Sequence, residues 1–382
     1  MPKIVIGISS SFCAGFIRGQ VGFLVEKGWD VVIISGPGEE IKMLALAEHA
    51  QLHTLNFTKS ILPFSDLVCL WRIINILKLE KPDLINAGNP KSGFLIMLAC
   101  WLLNYQRRIF TLHGLVSDSR AGLKKYIIRV TEKLTCSIAK KIIVVSESLR
   151  QHAVEEKILL QDKSLVIENG SCNGLNSKVF EKNAHTIDAA QKLRAKLKLT
   201  GDEYILGFVG RLSKDKGIDL LFEAFNLLRK KYLNVKLLVA GPLENANPFS
   251  KRYTQQLFED KDIFYLGKIA DVAPVYLLMK MLVLSSFREG FGNVLIEAAA
   301  MEVPVIAPDI PGCRNALLPG FNGLLFKKGD TAEMIIAIEK YMNNEQLREL
   351  HGNNGRLFVT RNFSQEKIWN GLLTAYNDLL LK

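Results

Sequence analysis

The sequence predicts an α/β chain of two domains, each built on a parallel, doubly wound sheet. Three observations carry that expectation. Short, almost wholly apolar runs recur near 3–8, 31–35, 52–56, 83–87, 108–112 and 141–145, and again near 204–209, 235–240, 263–266, 281–284, 304–307 and 323–326. Strands covered on both faces read this way, whereas strands with one wet face alternate apolar and polar residues. Helical patterns separate the runs, as the crossovers between parallel strands require. From Cys172 to about Thr200 the rhythm weakens, so the connection between domains is expected there, with limits at 1–179 and 180–363. A length of 382 residues gives each domain enough chain to bury its own core.

Composition narrows the class further. The residues after Met1 form a strand pattern with no basic leader and no cleavage site, so no signal peptide is expected. The longest apolar stretch, GFLIMLACWLL at 93–103, falls short of the roughly 20 residues that span a bilayer and reads as a buried helix. Six cysteines lie scattered without a CxxC or a histidine spacing that suggests zinc, which points to reduced thiols in the cytoplasm.

Along the first half, the loop 9–15 (SSSFCAG) follows the first strand and can offer backbone N–H groups, including that of Gly15, to a phosphate or an acceptor. The formal charge of +11 is uneven: 66–141 holds 13 Lys and Arg against 5 acids, a net +8. Within it, Leu123, Ile127, Val130, Leu134 and Ile138 recur at helical spacing, with Lys125, Arg129 and Lys133 forming an i, i+4 ladder on another face. Nearby stand Ile61, Leu62, Phe64 and Trp71, with Arg72 and Lys78. Such a surface fits an anionic membrane, each cation contributing on the order of 1 kcal/mol; it also fits an ordinary solvated helix with core aromatics. Nucleic acid is the rival use of the charge, but no recognition motif accompanies it. His113, in TLHGL, closes a strand whose carboxyl end should face the crevice between the domains.

The second half carries the richer signals. The run YILGFVG at 204–210 is followed by Arg211, Lys214, Lys216 and Gly217 and then by the amphipathic pattern IDLLFEAFNLL. Two cations at a strand end beside a helix start form a phosphate clamp, Arg211 as a planar fork and Lys216 as a point charge. Asp260 and Asp262 spell a D-x-D pair, but they precede their strand and are discounted as a metal site. The apolar run MLVLSS then leads into SFREGFGNVLIEAAAM, where Glu289 and Glu297 are separated by seven residues across a glycine turn and the first turn of a helix. Gly290 and Gly292 allow the tight turn, Asn293 is a good N-cap, and the backbone of Gly290, Phe291, Gly292, Asn293 and Val294 can meet an anion at the helix start. Carboxylates repel phosphate, so Glu289 and Glu297 are better explained as acceptors for neutral sugar hydroxyls. A glutamate in a first helical turn also simply complements the dipole. The last segment, 364–382, has an apolar helical stripe with Ser364 as a plausible cap.

GRLSKDKG, then EGFGNVLIEAAAMEVPVIA, then GLLF resembles the nucleotide-binding domain of the retaining glycosyltransferases of family 4, which have the GT-B fold of two Rossmann-like domains. The N-terminal segment, TLHGL and ENGSCNG are similar to members that build bacterial capsule, exopolysaccharide or O-antigen units on a polyprenyl carrier. The resemblance implies sugar transfer from a nucleotide donor, a UDP-sugar, to a polyprenyl-diphosphate-linked saccharide, without a metal or other cofactor. It implies Arg211 and Lys216 on the diphosphate, Glu297 on the ribose, Glu289 on the donor sugar and His113 near it. It also implies a terminal helix that returns to the first domain, and work at the cytoplasmic face of the plasma membrane. A sugar-nucleotide epimerase of the same shape and a non-catalytic membrane-associated scaffold remain open as alternatives, and the loop 9–15 lacks the paired glycines often seen in the family.

Overall fold

The computed structural model describes residues 1–58, 62–245 and 247–381; Ile61, singled out above, lies outside them. The chain divides into two compact units, Met1–Gly174 with Gln365–Lys382, and Leu175–Ser364. The boundary lies a few residues before 179, and the helix Ala184–Lys196 already belongs to the second unit. That helix falls where the sequence suggested a loose connection. It buries only Thr186 and Ala190, which leaves too thin an apolar stripe to register as a period.

The first unit holds seven parallel strands: β1 (Lys3–Gly7), β2 (Asp30–Ser35), β3 (Gln51–Thr54), β4 (Leu84–Gly88), β5 (Arg108–Leu112), β6 (Lys141–Val144) and β7 (Ser164–Leu165). Their order is β3-β2-β1-β4-β5-β6-β7. In register, Val5 pairs with Val32 on one side and with Ile85 on the other. Ile4, Val5, Val32, Ile33, Leu84 and Ile85 are fully buried, which is why these strands read as unbroken apolar runs.

Helix Gln365–Leu380 belongs to this unit and sets Ile368, Leu372 and Tyr376, one every four residues, into its core. Each such burial contributes on the order of 1.5–3 kcal/mol. The Tyr376 ring meets Trp29 edge-on with centroids 6.1 Å apart, and its hydroxyl accepts from Asn86 Nδ2 at 2.7 Å. Trp369 passes over Gly19, where a Cβ would come within 2.6 Å of the indole, and donates to Asn173 Oδ1 at 2.8 Å.

The second unit repeats the winding with six parallel strands: β8 (Tyr204–Val209), β9 (Val235–Ala240), β10 (Ile263–Tyr265), β11 (Met281–Val283), β12 (Val305–Pro308) and β13 (Gly323–Phe326). Their order is β10-β9-β8-β11-β12-β13. In both units the winding reverses beside the first strand, between β1 and β4 and between β8 and β11. In such sheets the carboxyl ends of those two strands part and leave a crevice where ligands bind.

Candidate active site

In the second unit, the loops leaving β8 and β11 are joined. Gly217 adopts φ +67°, and a Cβ there would come within 2.0 Å of the Ser285 carbonyl oxygen, so only glycine permits the approach. Ser285 Oγ donates to the Lys216 carbonyl at 2.9 Å, and the Phe287 N–H donates to the Asp215 carbonyl at 2.9 Å. These contacts bring the two sequence-predicted segments together. Lys216 Nζ donates to Glu289 Oε1 at 2.5 Å, and Ser286 Oγ donates to the same oxygen at 2.7 Å. Gly312, at φ +85°, lies against the backbone of Glu289 and Gly290, where a Cβ would approach within 2.7 Å.

Arg211 points into a second group of charges. Its Nη1 donates to Glu244 Oε2 at 2.8 Å, and its Nη2 lies 3.8 Å from Asp215 Oδ2, which also receives Arg288 Nη2 at 3.4 Å. Ser213 and Asn247 donate to the other Asp215 oxygen at 2.6 and 2.8 Å. Burial alone pushes the Asp215 carboxyl up. The Ser213 hydroxyl and the Arg288, Arg211 and Lys216 charges more than offset this and hold it below the usual carboxylate range. Sequence reasoning found the cations but missed these carboxylate partners, which come from a separate loop (Glu244) and from a residue between the two cations (Asp215).

The helix after the glycine turn is Asn293–Ala300, and its N-cap is Gly292, without a side-chain cap bond. This corrects the expectation for Asn293. The Asn293 N–H turns back onto the Phe291 carbonyl, so the residue enters the helix, and its Oδ1 is buried with no partner among the described residues. Phe291 sends its ring into the core against Phe363, centroids 5.3 Å apart, leaving only its backbone for a ligand. Val294 is half-buried. Glu297, one turn in, accepts from the Tyr276 hydroxyl at 2.8 Å, and burial raises its carboxyl above the ordinary range. Asp260 and Asp262 are ion-paired to Arg229 and Lys236, a structural use of both carboxylates. Among the described residues, no group of three or more His, Cys, Asp or Glu side chains could hold a metal.

In the first unit, His113 follows β5. Its ring stacks on Phe16, centroids 4.7 Å apart and 18° from parallel, and a Cβ at Gly88 would lie 2.8 Å from its Nε2. Burial lowers its pKa to about 4, so the imidazole is neutral near pH 7. Its buried Nδ1 has no partner among the described residues. A small cavity of about 40 Å3 lies beside it, lined by Gln20, Asn86, Thr111 and Ser171 among apolar residues. Thr111 Oγ1 donates to Asn86 Oδ1 at 2.8 Å, linking the strand end to Tyr376. Gly15 lies in the 3-10 turn Ser11–Phe16, where an added Cβ would meet nothing.

The basic helix is Gly122–Ile138. Its buried residues are Glu132, Thr135 and Cys136, so the apolar stripe of Leu123, Ile127, Val130 and Leu134 faces outward with Lys124, Lys125 and Lys133. Glu132 is the cause: its Oε1 accepts the Val116 N–H at 2.7 Å and its Oε2 the Ser117 hydroxyl at 2.6 Å. Arg129 is paired to Glu156. Helix Pro90–Leu102 packs against this helix and against Pro63–Glu80, which exposes Phe64 at 83 % and Trp71 at 63 %. No helix of the described residues is long and apolar enough to cross a membrane.

Comparison with known proteins decides the family. Residues 17–171 match the description Glycosyltransferase Family 4, and residues 189–358 match Glycosyl transferases group 1. The capsular polysaccharide biosynthesis glycosyltransferase CapM of Staphylococcus aureus is 35% identical over 378 residues, 99% of this chain and 97% of CapM. The chain belongs to the family 4 glycosyltransferases. Among solved structures, Anabaena HepE in complex with UDP-glucose superposes on this glycosyltransferase with a TM-score of 0.81 at 19% identity, covering 99% of this chain and 100% of HepE. Sucrose-phosphate synthase from Thermosynechococcus elongatus superposes with 0.80 at 21% identity, covering 100% of both chains. The likeness identifies the fold as GT-B, with two Rossmann-like parallel sheets.

Proposed function

We propose that this glycosyltransferase moves a sugar, with retention at the anomeric carbon, from a UDP-sugar to a polyprenyl-diphosphate-linked saccharide in the assembly of a bacterial surface polysaccharide. The observation that carries the reading is the junction of the β8 and β11 loops, which sets Lys216 on Glu289 just before helix Asn293–Ala300, while Arg211, from the same β8 loop, pairs with Glu244 and Asp215. The names of the relatives point the same way: CapM acts in capsule biosynthesis, and HepE holds UDP-glucose.

The chemistry follows from charge. When the bond between the anomeric carbon and the β-phosphate oxygen breaks, its electron pair stays on the departing diphosphate. Arg211, Lys216 and the helix N-terminus meet the charge that develops, a role a metal fills elsewhere. Each cation exchanges part of its carboxylate pairing for phosphate, and that pairing holds the cations oriented. Glu289, released from Lys216, accepts from the donor sugar's hydroxyls and faces the positive charge growing on the ring; Glu297 takes the ribose. The acceptor oxygen attacks the face the diphosphate leaves, and its proton passes to a departing phosphate oxygen. His113, neutral near pH 7, is assigned a hydrogen-bonding role towards the donor sugar on the family resemblance alone.

The acceptor side of the reading rests on the first unit. Leu123, Tyr126, Ile127 and Val130 on one helix, with Lys124 and Lys125 among them, and Phe64, Leu67 and Trp71 on another, with Arg72 after Trp71, are exposed, which suits peripheral attachment to anionic lipid at the cytoplasmic face of the plasma membrane. The deciding experiment is a thermal-shift panel of UDP-, GDP- and ADP-sugars in excess EDTA. A donor at 100 times its Kd stabilises by about 2.7 kcal/mol. A rise with one or more UDP-sugars is expected; no response to any UDP-sugar, or a response to another nucleotide alone, overturns the donor assignment.

A further inference from the structure

On the reading that Glu297 holds the donor's ribose, we propose that Tyr276 is the positioning residue for nucleotide recognition: it anchors one oxygen of the Glu297 carboxylate and thereby aims the other at the ribose hydroxyls. Tyr276 ends the short helix Ala273–Tyr276, is fully buried, and packs its ring against Phe180, centroids 6.3 Å apart. Helix Ala184–Lys196 packs against the same turn, so the phenol cannot swing away. Its hydroxyl has one hydrogen to give and gives it to Glu297 Oε2 at 2.8 Å. Among the described residues, Oε1 has no partner, and Glu297 is only half-buried.

A glutamate carboxylate turns easily about its last torsion. Tied at Oε2 by a fixed donor, it presents Oε1 in one direction, so a vicinal diol meets an acceptor already in place and ordering costs less on binding. Buried in an apolar setting, the phenol resists ionisation, and it therefore serves as the donor whenever Glu297 is ionised.

The test is a double-mutant cycle of Tyr276→Phe and Glu297→Gln, read by calorimetry with UDP and with 2′,3′-dideoxyuridine diphosphate, which lacks both ribose hydroxyls. In the wild type, UDP binds the tighter of the two. Tyr276→Phe is expected to lower UDP affinity about tenfold, the scale of one hydrogen bond to a charged group, and to leave the dideoxy ligand unchanged. Glu297→Gln is expected to reduce the same selectivity, and Tyr276→Phe added to it to change nothing more. Should Tyr276→Phe alone fail to fold, the pair carries the test, because a neutral amide does not strand a charge when the phenol is removed. A selectivity loss in Glu297→Gln without one in Tyr276→Phe, an equal loss for both ligands in Tyr276→Phe, or a further loss in the pair overturns the inference and spares the ribose reading. Unchanged selectivity in Glu297→Gln overturns the ribose reading itself.

Discussion

On the proposed placement of the diphosphate, replacing Lys216 with Ala is expected to have two separable effects on UDP binding, because the lysine would serve first the Glu289 carboxylate and then the diphosphate. In the structure its ammonium is paired with Glu289, the side chains being 19% and 11% exposed. With UDP bound, the proposed mechanism has it donate to the diphosphate, a charge-assisted contact of about 1.5–3 kcal/mol, or about 10- to 150-fold in affinity. Removing it also leaves Glu289, among the described residues, with only the Ser286 hydroxyl, and with an uncompensated charge close to the proposed diphosphate position. At a separation of about 6 Å and an effective dielectric of about 20, that repulsion is about 3 kcal/mol per pair of unit charges. Lys216→Ala is therefore expected to weaken UDP binding by more than the contact alone, and Glu289→Gln added to it to restore part of the loss. Glu289→Gln by itself leaves UDP binding as tight or tighter while sugar transfer falls. Calorimetric titration of the three variants measures each term. A Lys216→Ala variant that binds UDP like the wild type, or a double variant no better than the single, refutes the placement of the diphosphate between these groups.

Excess EDTA leaves transfer intact if side chains neutralise the diphosphate; abolition by EDTA with rescue by Mn2+ contradicts that. The sugar is expected to be transferred with its anomeric configuration kept, which the H1–H2 coupling of the product reports; an inverted product contradicts the proposed mechanism. Anionic vesicles are expected to sediment the protein at low salt and to release much of it at high salt, and changing Lys124, Lys125 and Lys133 together to Glu is expected to abolish sedimentation while UDP binding survives; sedimentation unaffected by the triple change defeats the membrane assignment. The His113 pKa of about 4 in the folded chain lies below its ordinary 6.5, so the unfolded chain binds the extra proton between those values. Its contribution, up to about 3 kcal/mol, is present above pH 6.5 and lost as pH falls towards 4. Urea titrations of His113→Asn against the wild type should show the difference shrinking over that range, and a pH-independent difference refutes the burial argument.

The strands that position the site were legible because parallel strands buried on both faces admit little but Val, Ile, Leu and small residues, as VKLLVA (Val235–Ala240) and MLV (Met281–Val283) illustrate. Strand β7 has two residues and no such signature. Arg211 and Lys216 could be read from their place at a strand end, but Glu244 and Asp215 could not be assigned to Arg211, since the pairing exists only once two loops fold over it. On helix Gly122–Ile138 the periodicity announced two faces without telling which one turns inward. The choice is made by Glu132, whose bonds to the Val116 and Ser117 backbone and the Ser117 hydroxyl fix a carboxylate, and not a leucine, on the buried side. Tyr276 stands in a polar-poor stretch, APVY, and nothing in its neighbours announces that its hydroxyl reaches a residue 21 positions away.

The place of the nucleotide is tested most directly by a crystal structure of the protein with UDP in EDTA. The prediction is that the diphosphate lies against the N-terminus of helix Asn293–Ala300 within reach of Arg211 and Lys216, with the ribose hydroxyls on Glu297. UDP bound away from these residues, or turned so that the ribose meets Arg211 and Lys216 while the diphosphate lies beyond Glu297, would contradict it.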